Sequence, residues 1–555
     1  MLSRERAIEI LAAERFDVAV IGGGITGAGV ALDAASRGYS VALVEKDDFA
    51  SGTSSRSSKL VHGGLRYLQQ FDLGLVREAL LERQLMVKLA PHLVTPLEMV
   101  VPAFGGARPD RLVGIGLNMY DVMATPRLRG RRTARRANGD GDGDWSPARH
   151  RAITGDEVVE RLPALARRSP TGGYLFYDCQ TDDARLVLTV LGEAERFGAI
   201  CANRLEARAL LTDDGAGRGV RVRDAETGAE LELRADNVVN ATGVWADRIR
   251  PDELHSEAEL PTIVPSRGTH VTIATADLPL RAGAIVPAGN DRSIFALPWQ
   301  GASLLGTTDS TYNGDIDHVR PAAGDIAYLL EATNAFFETD LGPDDLTGAY
   351  AGVRPLISSG DSRKSVDISR KAELYETSSG LITITGGKLT TWRRMAKLAV
   401  DRLVERDGRD APCRTHEIPL GEPVAPADLA RVDGVPHASY AALAGRYGHA
   451  AEQVLALARQ RDELAAAIVD GHPDLLAEAS FGASHDQART VGDVLFRRTR
   501  LGLVAAPAVL APDGDVPLRV ARAIGAELGW DEHRVAIEVQ RFAEEVQAEY
   551  AATDG

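Results

Sequence analysis

Apolar and polar positions near the start of the chain predict a strand, a helix and a second strand between residues 16 and 46. Asp17–Ile21 and Ser40–Val44 are short, mainly apolar runs of the length that is typical of buried strands. The run between them opens with glycines and continues with small apolar residues. This order of elements predicts a βαβ unit.

Further apolar patterns extend along the chain and predict several folding units. They are a short amphipathic helix before residue 16, a helix at 182–198 capped by Asp182 or Asp183, a buried strand ending at 241–243, antiparallel strands from about 260 to 350, a strand, turn and helix at 380–405, and a helical region after residue 412. Residues 127–145 have no periodicity and predict an exposed loop. A chain of 555 residues is expected to form two or three units.

Three glycines give the turn after the first strand the spacing G-x-G-x-x-G. Gly22 permits a tight turn, Gly24 lets the backbone approach phosphates, and Gly27 lets the following helix pack on its strand. The helix N-terminus then faces the anion. Glu45, at the end of the second strand, is placed to accept a hydrogen bond from a ribose hydroxyl. The motif predicts a dinucleotide, but it does not separate FAD from NAD.

Charge and cysteine content argue against several classes of function. The formal net charge of −16 at pH 7 is unfavourable for a nucleic-acid partner, which requires a basic face. The three cysteines are far apart and form no C-x-x-C pair, so they predict neither a disulfide framework nor a metal site. We find no secretory signal and no apolar run long enough to cross a bilayer. We therefore expect a cytoplasmic protein, at most attached to a membrane surface.

A second glycine pair favours a flavin over a nicotinamide. Gly386, Gly387 and Lys388 lie between a predicted strand and helix, far along the chain from Glu45. Backbone N–H groups at a helix N-terminus would stabilise the negative charge that hydride uptake places on a flavin ring. A simple two-domain nicotinamide dehydrogenase would instead continue its first βαβ unit with more parallel strands.

Seven segments of the chain together carry a family resemblance. They are IGGGITGAGVALDAASRG, TSSRSSKLVHGGLRYL, DDARLVL, NATGVW, LGTTD, YAGVRPL and GGKLTTWRRMA. In this order they resemble FAD-dependent glycerol-3-phosphate dehydrogenase of the aerobic, respiratory type. The resemblance covers about residues 16–405, and DVLFRRTRLGL at 493–503 is similar to the helical C-terminal domain of that family. Residues 138–144 and 356–369 depart from the family pattern.

The resemblance implies an α/β fold with three parts. A Rossmann-like FAD-binding domain is interrupted by an antiparallel-sheet substrate domain and followed by a helical C-terminal domain. The expected bounds are 16–90, 181–255 and 350–410 for the FAD-binding domain, 91–180 and 256–349 for the substrate-binding or cap domain, and 411–555 for the helical domain.

The resemblance also implies a reaction. This is oxidation of sn-glycerol 3-phosphate to dihydroxyacetone phosphate, with hydride transfer from C2 to N5 of non-covalent FAD and electron transfer to a quinone. A phosphomonoester requires fixed cations, and the guanidinium fork matches phosphate oxygens. The substrate-binding candidates are Arg66, Tyr67, Arg354 and Arg370. His270 resembles the family's active-site histidine and is the expected acceptor of the hydroxyl proton, with Arg354 and Lys388 completing the catalytic set.

The expected cofactor contacts come from several parts of the chain. Gly22, Gly24 and Gly27 are expected at the pyrophosphate and Glu45 at the ribose. Thr53, Ser54, Ser58, Lys59, Leu60 and His62 are expected in a loop along the pyrophosphate and the flavin ring. Gly243, Gly386, Gly387, Lys388 and Leu389 complete the expected set. No metal ion is expected.

The sequence leaves two alternatives open. One is a soluble glycerol-3-phosphate oxidase that passes electrons to oxygen, and the other is a flavin-binding sensor without turnover. A quinone-reducing enzyme must reach a membrane surface. Its candidate contact with anionic lipid is a basic cluster formed by Arg127, Arg129, Arg131, Arg132, Arg135 and Arg136. A homodimer is a further expectation.

Overall fold

The computed structural model describes residues 1–64, 72–106, 111–124, 148–213, 216–249, 262–289, 292–358 and 372–553. The predicted loop at 127–145, with its basic cluster, lies outside the described residues. So do three of the substrate-binding candidates, Arg66, Tyr67 and Arg370.

Strands and α-helices are interspersed as far as Ala202, strands predominate from Leu205 to Gly386, and helices follow. The strands are β1 Arg15–Ile21, β2 Val41–Val44, β3 Leu60–Val61, β4 Thr95–Ala103, β5 Arg151–Thr154, β6 Gly172–Gln180, β7 Ile200–Ala202, β8 Leu205–Asp213, β9 Ala216–Asp224, β10 Glu230–Asn240, β11 Thr262–Ala274, β12 Gly283–Pro287, β13 Ser293–Trp299, β14 Ala302–Gly306, β15 Ser310–Thr311, β16 Leu346–Ser358, β17 Ala372–Glu376 and β18 Ile382–Gly386. The α-helices are α1 Arg4–Ala13, α2 Ile25–Ser36, α3 Leu73–Leu89, α4 Arg111–Ala124, α5 Gly155–Arg161, α6 Asp183–Arg196, α7 Ala323–Phe337, α8 Trp392–Arg406, α9 His437–Tyr447, α10 Ala451–Gln460, α11 Leu476–His485, α12 Leu501–Val504, α13 Ala506–Val509, α14 Val516–Leu528 and α15 Glu532–Glu545.

The first sheet confirms the predicted βαβ unit. Its strand order is β17-β18-β10-β1-β2-β7, and β18, β10, β1, β2 and β7 run parallel. Helices α2, α6 and α8 bury apolar side chains with these strands in one core. Asp182 is the cap of α6, because its carboxylate accepts a hydrogen bond from the backbone N–H of Arg185. Because the strands are parallel, their carboxyl ends meet at one edge of the sheet.

The second sheet has the order β15-β11-β14-β13-β12-β4-β6-β3, with β16 paired to β11 and β5 paired to β6. Its pairs are antiparallel, as predicted, except that β4 and β12 are parallel. The chain passes through the first sheet between these two strands, so no hairpin constrains their relative direction. The boundary expected at residue 350 falls inside β16, which pairs with β11 from Thr262↔Ser358 to Ile273↔Leu346.

The C-terminal region is helical, as predicted. It contains α9 to α15 and a π-helical turn, Asp493–Arg498, between α11 and α12. Leu503 of α12 and Tyr350 of β16 share a core, so the helical region packs directly on the second sheet. Within the described ranges, none of the helices combines the length and apolar character needed to cross a bilayer.

Candidate active site

A cavity of about 390 Å³, here called the first cavity, lies at the carboxyl ends of the parallel strands. Each of four strands is followed by residues that line it. These residues are Gly22 and Gly24 after β1, Glu45 after β2, Gly243 after β10, and Gly387, Lys388 and Leu389 after β18. Thr53, Ser54 and Gly386 also line it. The sequence motifs thus meet at the edge of the sheet where α/β folds bind their ligands.

The glycine turn of the first cavity explains how α2 approaches its strand so closely. Gly22 has φ +109°, and a Cβ there would lie 2.7 Å from the carbonyl oxygen of Ala241. A Cβ at Gly27 would lie 1.8 Å from the carbonyl oxygen of Gly22. Gly27 lines neither cavity. Its lack of a side chain allows α2 to pack against the turn at Gly22. The N-terminus of α2 is thereby directed at the first cavity.

Glu45 is held rigidly at the side of this turn. One carboxylate oxygen accepts from the backbone N–H of Gly23 at 2.7 Å, and the other from that of Asp47 at 2.9 Å. Burial, followed by the negative charge of Asp47, raises the pKa of Glu45 to about 7. Glu45 lines the first cavity at the end of β2, and its contact with a ribose stays a prediction.

A second cavity, of about 210 Å³, adjoins the first. Ser54, Gly387, Lys388 and Leu389 line both, so the two cavities share a boundary. The second cavity is further lined by Ser57, Ser58, Leu60, His62, His270, Arg354 and Thr390. All three expected catalytic residues, which are far apart in the sequence, therefore meet in one place.

His270 is a buried residue of β11 in the wall of the second cavity. Its Nε2 lies 2.8 Å from Oγ of Ser58, and its Nδ1 has no hydrogen-bond partner in the part of the chain that the structure describes. On the adjacent strand β14, a Cβ at Gly306 would lie 2.3 Å from Cδ2 of His270, so the imidazole needs a glycine there. Burial, then the cations Arg354 and Lys59, hold the pKa of His270 well below its usual value.

Arg354 enters the second cavity from β16. Its Nη2 donates to Oγ1 of Thr307 at 2.9 Å and to the carbonyl of Thr308 at 3.3 Å. Its Nη1 lies 3.6 Å from the carboxylate of Asp309. A Cβ at Gly268 would lie 2.4 Å from Nη2, so a glycine leaves space for the guanidinium. The side chain is 24% exposed and lines the second cavity.

Lys388 and His62 also line the second cavity. Lys388 precedes the 3₁₀ turn Leu389–Thr391, which leads into α8. The backbone N–H of His62 donates to Oγ1 of Thr390 at 3.1 Å, and the imidazole makes a T-shaped contact with the ring of Phe295. The turn between β18 and α8 is therefore a second backbone turn that lines the site, after the glycine turn at Gly22.

The structure corrects the expectation for one cofactor candidate, Lys59. It lines neither cavity, and its side chain is fully buried, with Nζ 2.9 Å from the carboxylate of Asp183. The sequence could not indicate this direction, because the partner carboxylate comes from a distant part of the chain.

Sequence reasoning also missed residues at both cavities. Trp245 and Asp317 line the first cavity, and Nε1 of Trp245 donates to Asp317 at 2.7 Å. Tyr350, beside the second cavity, packs on His270. Trp245 and Tyr350 lie within the segments NATGVW and YAGVRPL, so their position was available in the sequence. Asp317 lies in a stretch with no such signal.

Comparisons with known proteins identify the family of this chain. Residues 17–402 match the family model described as FAD dependent oxidoreductase, and residues 413–535 match the C-terminal domain of alpha-glycerophosphate oxidase. Glycerol-3-phosphate dehydrogenase 2 of Mycobacterium bovis is 37% identical over 552 residues, covering 97% of this chain and 89% of that one. The aerobic glycerol-3-phosphate dehydrogenase of Bacillus subtilis is 34% identical over 518 residues, covering 90% and 89%. The chain belongs to the FAD-dependent glycerol-3-phosphate dehydrogenase family.

Solved structures extend the likeness to this family. The glycerol-3-phosphate dehydrogenase from Bacillus halodurans, complexed with FAD, superposes with a TM-score of 0.76 at 29% identity, covering 98% of this chain and 97% of that one. An L-alpha-glycerophosphate oxidase from Mycoplasma pneumoniae, with FAD bound, gives a TM-score of 0.53 at 16% identity, covering 72% and 97%. The second likeness concerns the fold alone.

FAD is the cofactor of this family member, and the first cavity fits it. The N-terminus of α2 suits a pyrophosphate, and the Glu45 carboxylate lies at the end of β2, where a ribose is bound in such folds. The turn at Gly386, Gly387 and Lys388 carries the cavity on toward His270 and Arg354. The second cavity therefore adjoins the end of the first cavity that Lys388 and Leu389 line.

Proposed function

We propose that the protein oxidises sn-glycerol 3-phosphate to dihydroxyacetone phosphate and delivers the electrons to a quinone. When bound, FAD supplies the acceptor for the hydride from C2. The observation that carries the proposal is the second cavity, which joins the first and brings together His270, Arg354 and Lys388. An imidazole and two cations are the groups that oxidation of a phosphorylated alcohol requires.

The cations would hold the substrate. Arg354 offers a guanidinium fork for phosphate oxygens, and Thr307 and Thr308 fix its orientation. Lys388 adds a second positive charge at the boundary between the cavities, where it would stabilise a developing alkoxide. Arg66, Tyr67 and Arg370 stay predictions for the phosphate, since they lie outside the described residues.

His270 would accept the hydroxyl proton. With Nε2–H donating to Oγ of Ser58, Nδ1 carries the lone pair that takes this proton. The lowered pKa keeps the imidazole neutral at pH 7 and below, so the acceptor form is the resting form. Because such an imidazole is a weak base, proton removal is assisted by the nearby cations and is coupled to departure of the hydride.

Anaerobic titration with glycerol 3-phosphate, followed by flavin absorbance, tests the proposed reaction. The yellow colour is expected to bleach with about one equivalent of substrate, because one hydride reduces one flavin. Glycerol at the same concentration should have little effect, since it lacks the phosphate that Arg354 would bind. A flavin that stays oxidised with glycerol 3-phosphate would support the sensor alternative instead.

Oxygen is the second candidate acceptor, because the C-terminal region matches a domain described from an oxidase. Rapid mixing of the substrate-reduced protein with soluble ubiquinone or menaquinone analogues, or with air-saturated buffer, separates the two. We expect faster reoxidation by a quinone. Faster reoxidation by air, with stoichiometric hydrogen peroxide, would assign the protein as an oxidase.

Peripheral attachment to a membrane is the natural complement of a quinone acceptor. Helix α4 exposes Ile115, Met119 and Val122 at helical spacing, just before the basic residues 127–136 in the sequence. We expect sedimentation with anionic vesicles and little with neutral ones. Ile115→Ser with Val122→Ser should reduce it, whereas Leu398→Ser, at another exposed apolar site, should not. Unchanged sedimentation of the double variant would contradict this surface.

A further inference from the structure

A buried line of charged contacts connects the helical C-terminal region to the loop beside the second cavity. It starts at Arg500, which follows the π-helical turn and is fully buried. The guanidinium lies 2.7 Å from the carboxylate of Asp182 and also hydrogen bonds to the carboxylate of Asp183. Both acids open helix α6 of the first sheet, so Arg500 joins two regions of the chain.

Asp183 also binds the loop of residues 55–59. Its Oδ2 accepts from the backbone N–H of Ser57 at 3.1 Å and from the Ser57 hydroxyl at 2.7 Å. Both carboxylate oxygens accept from Nζ of Lys59, at 2.9 and 3.0 Å. Lys59 has φ +60°, an unfavourable conformation for lysine that these contacts hold in place.

The loop in turn holds His270 by two routes. Oγ of Ser58, which lies between the two residues bound by Asp183, is 2.8 Å from Nε2 of His270. The carbonyl of Ser57 accepts from the hydroxyl of Tyr350 at 2.8 Å, and the Tyr350 ring stacks on the imidazole. The position of Asp183 therefore sets both the hydrogen-bond partner and the stacking partner of His270.

We propose that Arg500 is a positioning residue for His270, acting through Asp183 and the loop 55–59. The proposal rests on the proposed function in that His270 is the proton acceptor. The C-terminal region thereby takes part in the chemistry, although Arg500 lines neither cavity. Without the Arg500 contact, the loop relaxes, the imidazole loses its fixed partners, and water reaches it.

The electrostatic surroundings of His270 set the direction of the expected change. The charged or titratable groups packed against it are Lys59 from the loop and Arg354 and Tyr350 from β16. The cations and burial together disfavour protonation of the imidazole. Loosening of the loop admits water and moves the Lys59 cation, so both changes raise the pKa of His270 toward its usual value.

The test compares Arg500→Lys with Arg498→Lys. Arg498 is an equally buried neighbour that pairs with Asp48 at 2.7 Å and makes none of the contacts with Asp182, Asp183 or the loop. In the FAD-bound enzyme we expect Arg500→Lys to move the acid limb of the flavin-reduction rate up by about one pH unit, roughly a tenfold change in proton affinity. Arg498→Lys should leave the limb in place, even if it lowers the thermal stability.

Histidine ring NMR of the FAD-bound protein without substrate provides a readout that does not depend on turnover. The resonance that disappears in His270→Gln identifies the residue, and its titration should show the same upward pKa shift in Arg500→Lys. An unshifted His270 titration and pH profile would overturn the proposal. If glycerol 3-phosphate fails to reduce the wild-type flavin, the proposed function is wrong. The NMR comparison still tests whether Arg500 controls the pKa of His270.

Double variants test the route. If Arg500 acts through Ser58, the rate of Arg500→Lys with Ser58→Ala should be close to that of Ser58→Ala alone. Effects of the two substitutions that multiply would contradict an action of Arg500 through Ser58.

Should Arg500→Lys not fold, Ser57→Ala tests the proposal instead, because it removes one loop contact with Asp183 and leaves Arg500 in place. It should raise the pKa of His270, and an unchanged value would count against the proposal.

Discussion

The imidazole of His270 and the phenol ring of Tyr350 lie parallel, with centroids 4.8 Å apart and planes at 11° to each other. The two residues are directly paired across β11 and β16. The register of the second sheet therefore sets the stack. A one-residue shift of either strand would move its ring to the other face of the sheet and dismantle the site.

Replacing His270 by alanine should slow flavin reduction by about a hundredfold or more, the usual contribution of a positioned base. Substrate affinity should change less, because Arg354 remains. Single-turnover reduction by glycerol 3-phosphate measures both quantities. His62→Ala is the comparison, and we expect it to weaken FAD binding or leave the rate nearly intact. A wild-type rate and pH profile in His270→Ala would exclude this residue as the base.

The rate of flavin reduction should depend on pH in the way that the lowered pKa of His270 dictates. In the folded protein His270 stays neutral below pH 6.5, so the acid limb of the reduction rate is expected below that value. The unfolded chain binds a proton near pH 6.5 whereas the folded site does not. The free energy of unfolding should therefore fall as the pH drops below 6.5. In denaturant titrations from pH 7.5 to 5, this fall should be smaller in His270→Gln than in the wild type.

A methyl group at Gly306 should disturb the imidazole. Gly306→Ala places its Cβ 2.3 Å from Cδ2 of His270, so the ring must move and its contact with Ser58 must change. We expect slower flavin reduction and a lower melting temperature. Gly192→Ala, in helix α6 with open space around its Cβ, should stabilise the protein by about 0.5–1 kcal/mol. Unchanged kinetics in Gly306→Ala would contradict the described ring position.

Loss of the Arg354 cation should mainly affect substrate binding. Arg354→Ala is expected to raise KM for glycerol 3-phosphate by about tenfold to a hundredfold, as for a lost charged hydrogen bond of roughly 1.5–3 kcal/mol. Arg168 is equally exposed, at 24%, but lies away from both cavities, so Arg168→Ala should leave KM unchanged. Steady-state kinetics of the two variants provide the test, and equal KM values would remove Arg354 from the phosphate site.

FAD binding should depend on the protonation of Glu45. Its pKa is about 7 in the chain, and a carboxylate accepts hydrogen bonds from ribose hydroxyls better than a carboxylic acid does. The Kd for FAD is therefore expected to rise as the pH falls below about 7. Glu45→Gln should weaken binding at pH 8 and abolish this pH dependence. Fluorescence titration of FAD into the flavin-free protein measures both.

Asp47→Asn provides an independent check of the same site. The charge of Asp47 helps to raise the pKa of Glu45, so its removal should move the midpoint of FAD binding to lower pH. The carboxylate of Glu45 and its contact with Gly23 stay in place. A midpoint that does not move would show that another group controls the pH dependence.

The sequence predicted those parts of the site that rest on local patterns. The βαβ unit could be predicted because apolar periodicity and G-x-G-x-x-G are visible within thirty residues or so, the span of one such motif. His270, Arg354 and Lys388 were named through the family resemblance, and the structure places them around one cavity. The helical character of the C-terminal region likewise followed from its periodicity.

The sequence did not predict contacts between distant segments. Lys59 was expected at the cofactor, but its direction is decided by Asp183, which belongs to another helix. Arg500 could not be assigned, because a buried arginine and a surface arginine look alike in a single sequence. The parallel pairing of β4 with β12 was missed for the same reason, since the strands are far apart along the chain. Such pairings depend on tertiary packing rather than local propensity.

The first cavity is lined by segments far apart in the sequence, and this determines when the protein can bind FAD during its synthesis. The walls of that cavity extend from Ile21 to Met395. A nascent chain therefore has its glycine turn outside the ribosome long before β10 and β18 arrive to complete the sheet. During that interval the edges of β1 and β2 lack their final neighbours, a state that is prone to misassembly. FAD can stabilise the chain only after this interval, so the early segments must fold without help from the cofactor.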